Sequence, residues 1–268
     1  MNTPTQELKG IERTLLMPLA CRAMESVRED AIIHDPKAVE VYQSLGGSDE
    51  FLLGMSGHDL YAAAMRVRQF DGYAQAFRAS HPDALVVDIG CGLDTRFYRL
   101  DDGKLRWLGV DLPEVIELRR RLLPDGERCQ TLAQSIFELS WLDVAAQLDR
   151  PTIFLAEGIF PYFSSKDLKP LLQVLVERFP GGELVFDGIS PFMGWLNNHS
   201  SSVLKQTGTL VRWDVKDPIE LEDWGLHLLE RWGYFEKPEP RLGAVRIVRF
   251  IPPLRHGTYI VRYRLGQA

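Results

Sequence analysis

Apolar positions recur with two different periods along this chain, and the change of period divides it. Over the first 80 residues the spacing is helical: Ile11, Leu15, Leu19, Met24, Val27 and Ile32 form an interrupted stripe. Asp35-Pro36 then reads as an N-cap with proline in the first turn of a second helix, which Gly46-Gly47 ends. Leu60–Phe77 is a third, alanine-rich helix with Arg66 and Arg68 near its middle. These residues predict a helical lid over 1–80 that supplies a cation to a site.

From Pro82 onward short apolar runs alternate with helical patterns. Leu85–Ile89 is a compact run without alternation, as expected of a strand buried on both faces of a parallel sheet. Further strands are expected at Arg106–Val110, Arg128–Ala133, Thr152–Ala156 and Glu183–Asp187, with helices at Thr95–Leu100 and Leu168–Phe179 between them. The pattern predicts a helix over Trp224–Trp232, a sixth strand beginning at Tyr234-Phe235, and a final, period-two strand at Tyr259–Leu265. Arg262 and Arg264 of that strand are expected on a solvent face. Together these describe a doubly wound α/β core over 81–268. Residues 191–223 lose the alternation and form a candidate substrate cover.

The first predicted strand runs directly into Gly90-Cys91-Gly92. Glycines there let the backbone turn sharply and approach a ligand, and open α/β sheets bind ligands outside the carboxyl ends of their strands. Thr95 stands where a dinucleotide fingerprint needs its third glycine, and no Gly-Lys-Ser/Thr phosphate loop follows. Asp88 and Asp94 flank the loop with carboxylates, which suit a cationic amino group and ribose hydroxyls better than a diphosphate. The loop therefore favours S-adenosylmethionine over NAD. Asp111, about 20 residues past the glycines, is where an acidic residue meets ribose hydroxyls; it also fits an N-cap of the next helix, with Leu112 beside it. Gln134-Ser135, followed by Ile136, ends the third strand, where an adenine base would lie. Glu157 directly follows the fourth strand and sits at the ligand edge of the sheet.

Charge and composition narrow the function. A net charge of −6 disfavours nucleic acid as a main partner, since phosphate binding needs a basic face. Arg119-Arg120-Arg121 reads as a solvated helix face. The 3 cysteines, Cys21, Cys91 and Cys129, form no Cys-x-x-Cys, and the 6 histidines no metal-binding pair, so neither a disulfide framework nor a metal is expected. With no signal-peptide pattern and no apolar run of spanning length, the reading is a cytoplasmic protein without membrane contact. Nothing bears on the oligomeric state.

VVDIGCGLDTRFYRL, GVDLPEVIELRRRLL and FLAEGIFPYFSSKDLKPLL, in that order and preceded by the arginine-bearing helix around Arg66-Val67-Arg68-Gln69-Phe70-Asp71, resemble the leucine carboxyl methyltransferase and tetracenomycin polyketide O-methyltransferase family. The resemblance covers roughly residues 60–190. It implies a class I methyltransferase sheet of seven strands, one of them antiparallel and inserted near the edge. It further implies S-adenosylmethionine as donor and an oxygen as acceptor, and the first reading of that acceptor is a hydroxyl or carboxylate of a small aromatic or polyketide-like molecule. By the same resemblance Arg66 pairs with the donor's carboxylate, Gly90 and Gly92 allow its approach, Asp111 holds its ribose and Glu157 lies near its amino group. The chain departs from the family at Ser135-Ile136, where Asp-Leu is usual.

An ionised carboxylate acceptor needs no base, whereas a phenol or enol calls for one, and Tyr162 and His199 are the candidates. A protein C-terminal carboxylate as acceptor, a non-catalytic binding protein of the same fold, and, least favoured because of Thr95, an NAD oxidoreductase remain as alternatives.

Overall fold

The computed structural model describes residues 11–48, 52, 55–201, 209–237 and 239–266. Seven strands form one sheet in the order β3-β2-β1-β4-β5-β7-β6. In chain order they are β1 (Leu85–Ile89), β2 (Arg106–Asp111), β3 (Cys129–Ala133), β4 (Thr152–Ala156), β5 (Glu183–Ile189), β6 (Leu226–Gly233) and β7 (Thr258–Leu265). The first five pair in parallel, and β7 lies antiparallel between β5 and β6. This is the α/β class I methyltransferase sheet with its inserted antiparallel strand.

Burial explains why the central strands carry unbroken apolar runs. Every residue of β1 and β4 is buried, because helices cover both faces. Leu85, Val87 and Ile89 point to a face covered by Trp141 of α6, Trp141–Gln147, and by Leu168, Leu171, Leu172 and Leu175. Those leucines belong to α7, Ser165–Arg178, which opens on a reciprocal capping box between Ser164 and Asp167. Val86 points the other way, against Phe70, Tyr73, Ala74 and Phe77 of α3, Gly57–Ser80. Strand parity puts Asp88 on that second face, the one α3 covers.

α1 (Ile11–Ser26) and α2 (Pro36–Ser44) lie against each other and bury Leu16, Leu19, Ala38 and Val41 with Leu93 of the glycine loop. Asp35 caps α2 by accepting the Ala38 N–H at 2.9 Å. Two short helices follow β1 and β2: α4 (Arg96–Leu100) and α5 (Pro113–Leu122).

Four sequence expectations are corrected. Residues 226–233 form β6, not a helix; Gly225, at φ +85°, ends a 3-10 turn over Pro218–Trp224 and redirects the chain. Leu226, Leu228 and Leu229 also fit helical spacing, but β7 offers a ladder that pairs with this segment through a bulge at Leu228/Glu230. Tyr234 and Phe235 therefore follow β6 rather than begin it. Arg119 is buried rather than solvated, whereas Arg120 and Arg121 are exposed. Arg262 binds Glu183 of β5 with two hydrogen bonds, at 2.6 and 2.7 Å, instead of facing free solvent.

Of the expected cover, 191–223, residues 191–200 are helical (α8, Pro191–Ser200), and 202–208 lie outside the described residues. Asn198 holds Val211 by two hydrogen bonds, and the N–H groups of Arg212 and Trp213 donate to the Pro161 carbonyl. These bonds dock 211–213 on the turn after β4. Among the described residues no helix is long and apolar enough to cross a membrane.

Candidate active site

Strand order reverses between β1 and β4, and the crevice at their carboxyl ends holds a cavity of about 470 Å³. Its floor is the glycine loop. Gly90 (φ +72°) and Gly92 (φ +43°) both occupy the left-handed region, and a Cβ at Gly90 would collide with Ile159. The loop is fixed from behind: buried Arg119 donates to the carbonyls of Gly92 (2.9 Å) and Asp94 (2.7 Å). In front, Asp111 accepts the N–H of Gly92 and of Leu112, each at 2.8 Å. The N-cap position of α5 is Leu112, so Asp111 ties the glycine loop to the end of β2 rather than capping the helix through its side chain.

Glu157, at the end of β4, receives two arginines. Arg66 of α3 donates through Nε to Oε1 at 2.9 Å, and Arg96 of α4 donates through Nη2 to Oε2. Arg96 is fully buried and also holds Asp71 (2.6 Å) and Asp94. Arg99 extends the network to Asp71 and, at 2.7 Å, to Asp35. Thr95 donates to Asp35 at 2.6 Å and accepts from Arg22 of α1 at 3.2 Å. Thr95, which breaks the dinucleotide fingerprint, thus joins the loop to both N-terminal helices.

The titration directions follow from these partners. Burial alone would raise Glu157, but Arg66 and Arg96 outweigh it and hold the carboxyl below its ordinary range. Asp94 is likewise held low, against burial, by Arg96, Arg99 and Arg22. Asp88 goes the other way. Burial raises it well above the ordinary aspartate value, and its Oδ2 has no hydrogen-bond partner. Burial also raises Asp111, against the pull of its two N–H donors.

Of the residues singled out from sequence, Arg66, Asp88, Gly90, Gly92, Asp111, Leu112, Glu157 and Tyr162 line this one cavity. Ser135, Ile136 and His199 do not. The Ser135 hydroxyl accepts the Phe137 N–H at 3.3 Å, and Ile136 is buried under Trp141. His199 is exposed on α8, with Nδ1 2.7 Å from the Trp195 carbonyl. Sequence reasoning did not place Arg22, Asp35, Asp71 or Arg96 at the site: it read Asp35 as a helix cap, which it also is, and Asp71 as part of the arginine-bearing helix. A signal existed for Arg96: a glutamate after a fully apolar strand requires a cation, and Arg96 lies in the glycine-loop motif itself.

The profile of the leucine carboxyl methyltransferase family matches residues 15–176. The chain belongs to the leucine carboxyl methyltransferase family. Among its relatives, the tetracenomycin polyketide synthesis O-methyltransferase TcmP of Streptomyces glaucescens is 32% identical, across 97% of this chain and 98% of that protein. The S-adenosyl-L-methionine-dependent methyltransferase dpfgK of Gibberella zeae is 28% identical, across 80% and 78%. The fold is shared with a DUF574 family protein of Streptomyces avermitilis (TM-score 0.58, 14% identity, 92% of this chain and 96% of that one). The protein is accordingly an S-adenosylmethionine-dependent methyltransferase of this family.

Proposed function

We propose that the chain methylates an oxygen, hydroxyl or carboxylate, of a small molecule, with α1 and α2 acting as a lid over the donor. The observation that carries this reading is the Arg66–Glu157 pair beside the glycine loop. Arg66 uses Nε on Glu157, and no hydrogen bond among the described residues uses its Nη1 or Nη2. Those two donors can take a carboxylate in the bidentate manner of a guanidinium. Glu157, kept ionised, faces the same space and suits an ammonium. This is the complement of the amino-acid end of S-adenosylmethionine. Asp111 lies across the cavity with a carboxylate suited to ribose hydroxyls, and Gly92 lets the backbone come close. When bound, that donor supplies an electrophilic methyl on a sulfonium.

The protein's part is then to hold acceptor oxygen and methyl carbon close and in line. Leu15, Met17, Pro18, Ile159 and Phe163 give the cavity apolar walls, which favour an apolar acceptor and exclude water. The three described cysteines are free and buried, in keeping with a cytoplasmic setting.

The test is transfer of tritiated methyl from S-adenosylmethionine to a panel of small hydroxy- and carboxyarenes, with peptides ending in a free carboxylate alongside. Label in a base-stable ether or a base-labile ester of a small molecule supports the reading. Label on the peptides alone favours a protein carboxyl methyltransferase instead.

A further inference from the structure

Residues 240–257 carry Arg241, Arg246, Arg249 and Arg255 and no acid, in a chain whose net charge is −6. Within them Val245-Arg246-Ile247-Val248-Arg249-Phe250 repeats apolar, arginine, apolar with a period of three. The segment is a 3-10 run over Pro240–Phe250, broken at Gly243 (φ +51°), so residues three apart stand over one another. Val245 and Val248 form a half-buried row, Arg246 and Arg249 a second, and Ile247 and Phe250 a third that faces outward. Phe250 is 71% and Ile247 63% exposed, and exposed Ile251 continues the apolar tip before Pro252. Both ends of the segment are tied down. Leu242 is buried with Tyr61 and Met65 of α3, and Arg241 holds Glu25 of α1 by two hydrogen bonds, at 2.6 and 2.8 Å. At the far end Met193 of α8 fills the space that a Cβ of Gly257 would need. Unlike Arg241, the arginines at 246, 249 and 255 form no ion pair among the described residues, and Arg249 lies over the Phe250 ring at 4.9 Å.

We propose that this ridge docks the protein on an anionic lipid surface, with Ile247, Phe250 and Ile251 entering the headgroup layer and Arg246, Arg249 and Arg255 meeting lipid phosphates. The inference goes beyond the methyl-transfer reading and does not rest on it. Charge and shape decide between occupants. A second copy meeting this ridge about a two-fold axis would set three unpaired arginines against three, a like-charge contact. A phosphodiester backbone would engage the arginines and leave Ile247 and Ile251 in water. An acidic protein would need a hollow shaped to a protruding row of side chains. A bilayer accepts such a row without matching its shape and attracts each arginine near its surface. Arginine suits the position, because its stem lies along apolar surface while the guanidinium stays with phosphate. The expectation of no membrane contact came from the lack of a spanning run, and an interfacial contact needs none.

Co-flotation of the full chain with vesicles tests this, using phosphatidylcholine alone and phosphatidylcholine mixed in equal parts with phosphatidylglycerol. The chain is expected to float with the anionic vesicles and not with the neutral ones, and added salt should weaken the binding. Replacing both outward residues, Ile247→Ser with Phe250→Ser, should lower partitioning by ~10-fold or more. Arg246→Gln with Arg249→Gln should lower it by about 5-fold for each charge removed. Both variants lie outside the cavity, so circular dichroism and S-adenosylhomocysteine affinity should match the wild type and show that they are folded. Absence of flotation with the anionic vesicles overturns the proposal. So does flotation unchanged by the two serines, which would mean adsorption by charge alone. Polyglutamate bound as tightly as the anionic vesicles, and released by the same two serines, would assign the ridge to an acidic protein and overturn the lipid assignment. The readout is partitioning, so its failure leaves the donor reading untouched.

Discussion

Past the carboxyl ends of β1 and β4, Asp94 and Glu157 are each gripped by buried guanidinium groups, Arg96 reaching both. On the same floor Asp88 is just as deeply buried, yet one of its oxygens has no partner, and Asp187, within β5, accepts the N–H of Gly158. All four are carboxylates in or just past β1, β4 and β5, but they titrate in opposite directions. The first pair is held below the ordinary range by arginine, and the second is raised by loss of water. The comparison separates carboxylates that act as fixed charges, shaping the site at every working pH, from carboxylates that can exchange a proton.

Arg96 is the residue whose loss breaks the comparison most severely. Arg96→Met leaves Asp71, Asp94 and Glu157 short of a buried partner, and an uncompensated buried charge costs about 3–5 kcal/mol. Urea unfolding should show that loss; a change under ~1 kcal/mol would mean the network behaves like exposed ion pairs. Next is Arg66→Ala, which should weaken S-adenosylhomocysteine by about 2 kcal/mol, the scale of a charge-assisted hydrogen bond, and unaltered affinity would take Arg66 out of the site.

Smaller and of opposite sign is the effect of Asp88→Asn. The folded-state value of Asp88 is raised, so its contribution to stability is fully present below the ordinary aspartate range and is lost as pH rises through the raised value. Removing the charge should therefore stabilise the ligand-free chain by about 1 kcal/mol at neutral pH and do nothing in acid. Glu157 has the reverse sign, its contribution standing at neutral pH and vanishing as pH falls through its depressed value. Thermal melts of both proteins across pH would show the two limbs, and a single monotonic limb in the wild type would contradict the contrast. The smallest effect is expected of His199→Ala, because this exposed ring meets Trp195 of its own helix, ring centroid to ring centroid at 4.7 Å and Nδ1 to carbonyl at 2.7 Å. Stability should change by less than ~0.5 kcal/mol and donor affinity should not change.

How much of this was legible in the chain follows from how local each feature is. β1 to β5, the glycine loop and Asp111 are marked by neighbours in sequence: an apolar run, two glycines, an acid at the next strand end. Arg66 and Glu157 were named singly, but their 2.9 Å pairing spans 91 residues and has no local mark. Arg96 looked like any polar residue of a short helix, since its three carboxylate partners come from α3, from β4 and from the loop. Arg119 was hidden in a run of three arginines, of which the helix buries one. β6 was misjudged because an edge strand with three leucines in four residues also satisfies helical spacing, and only β7 decides between them.

The central claim is that the crevice between β1 and β4 takes a sulfonium nucleoside rather than a dinucleotide. Its most direct test is calorimetric titration of the purified chain with S-adenosylmethionine, S-adenosylhomocysteine and NAD. Micromolar binding of both sulfur ligands at one site per chain, with no heat from NAD, is the predicted result. Binding of NAD, or silence from all three, would contradict it.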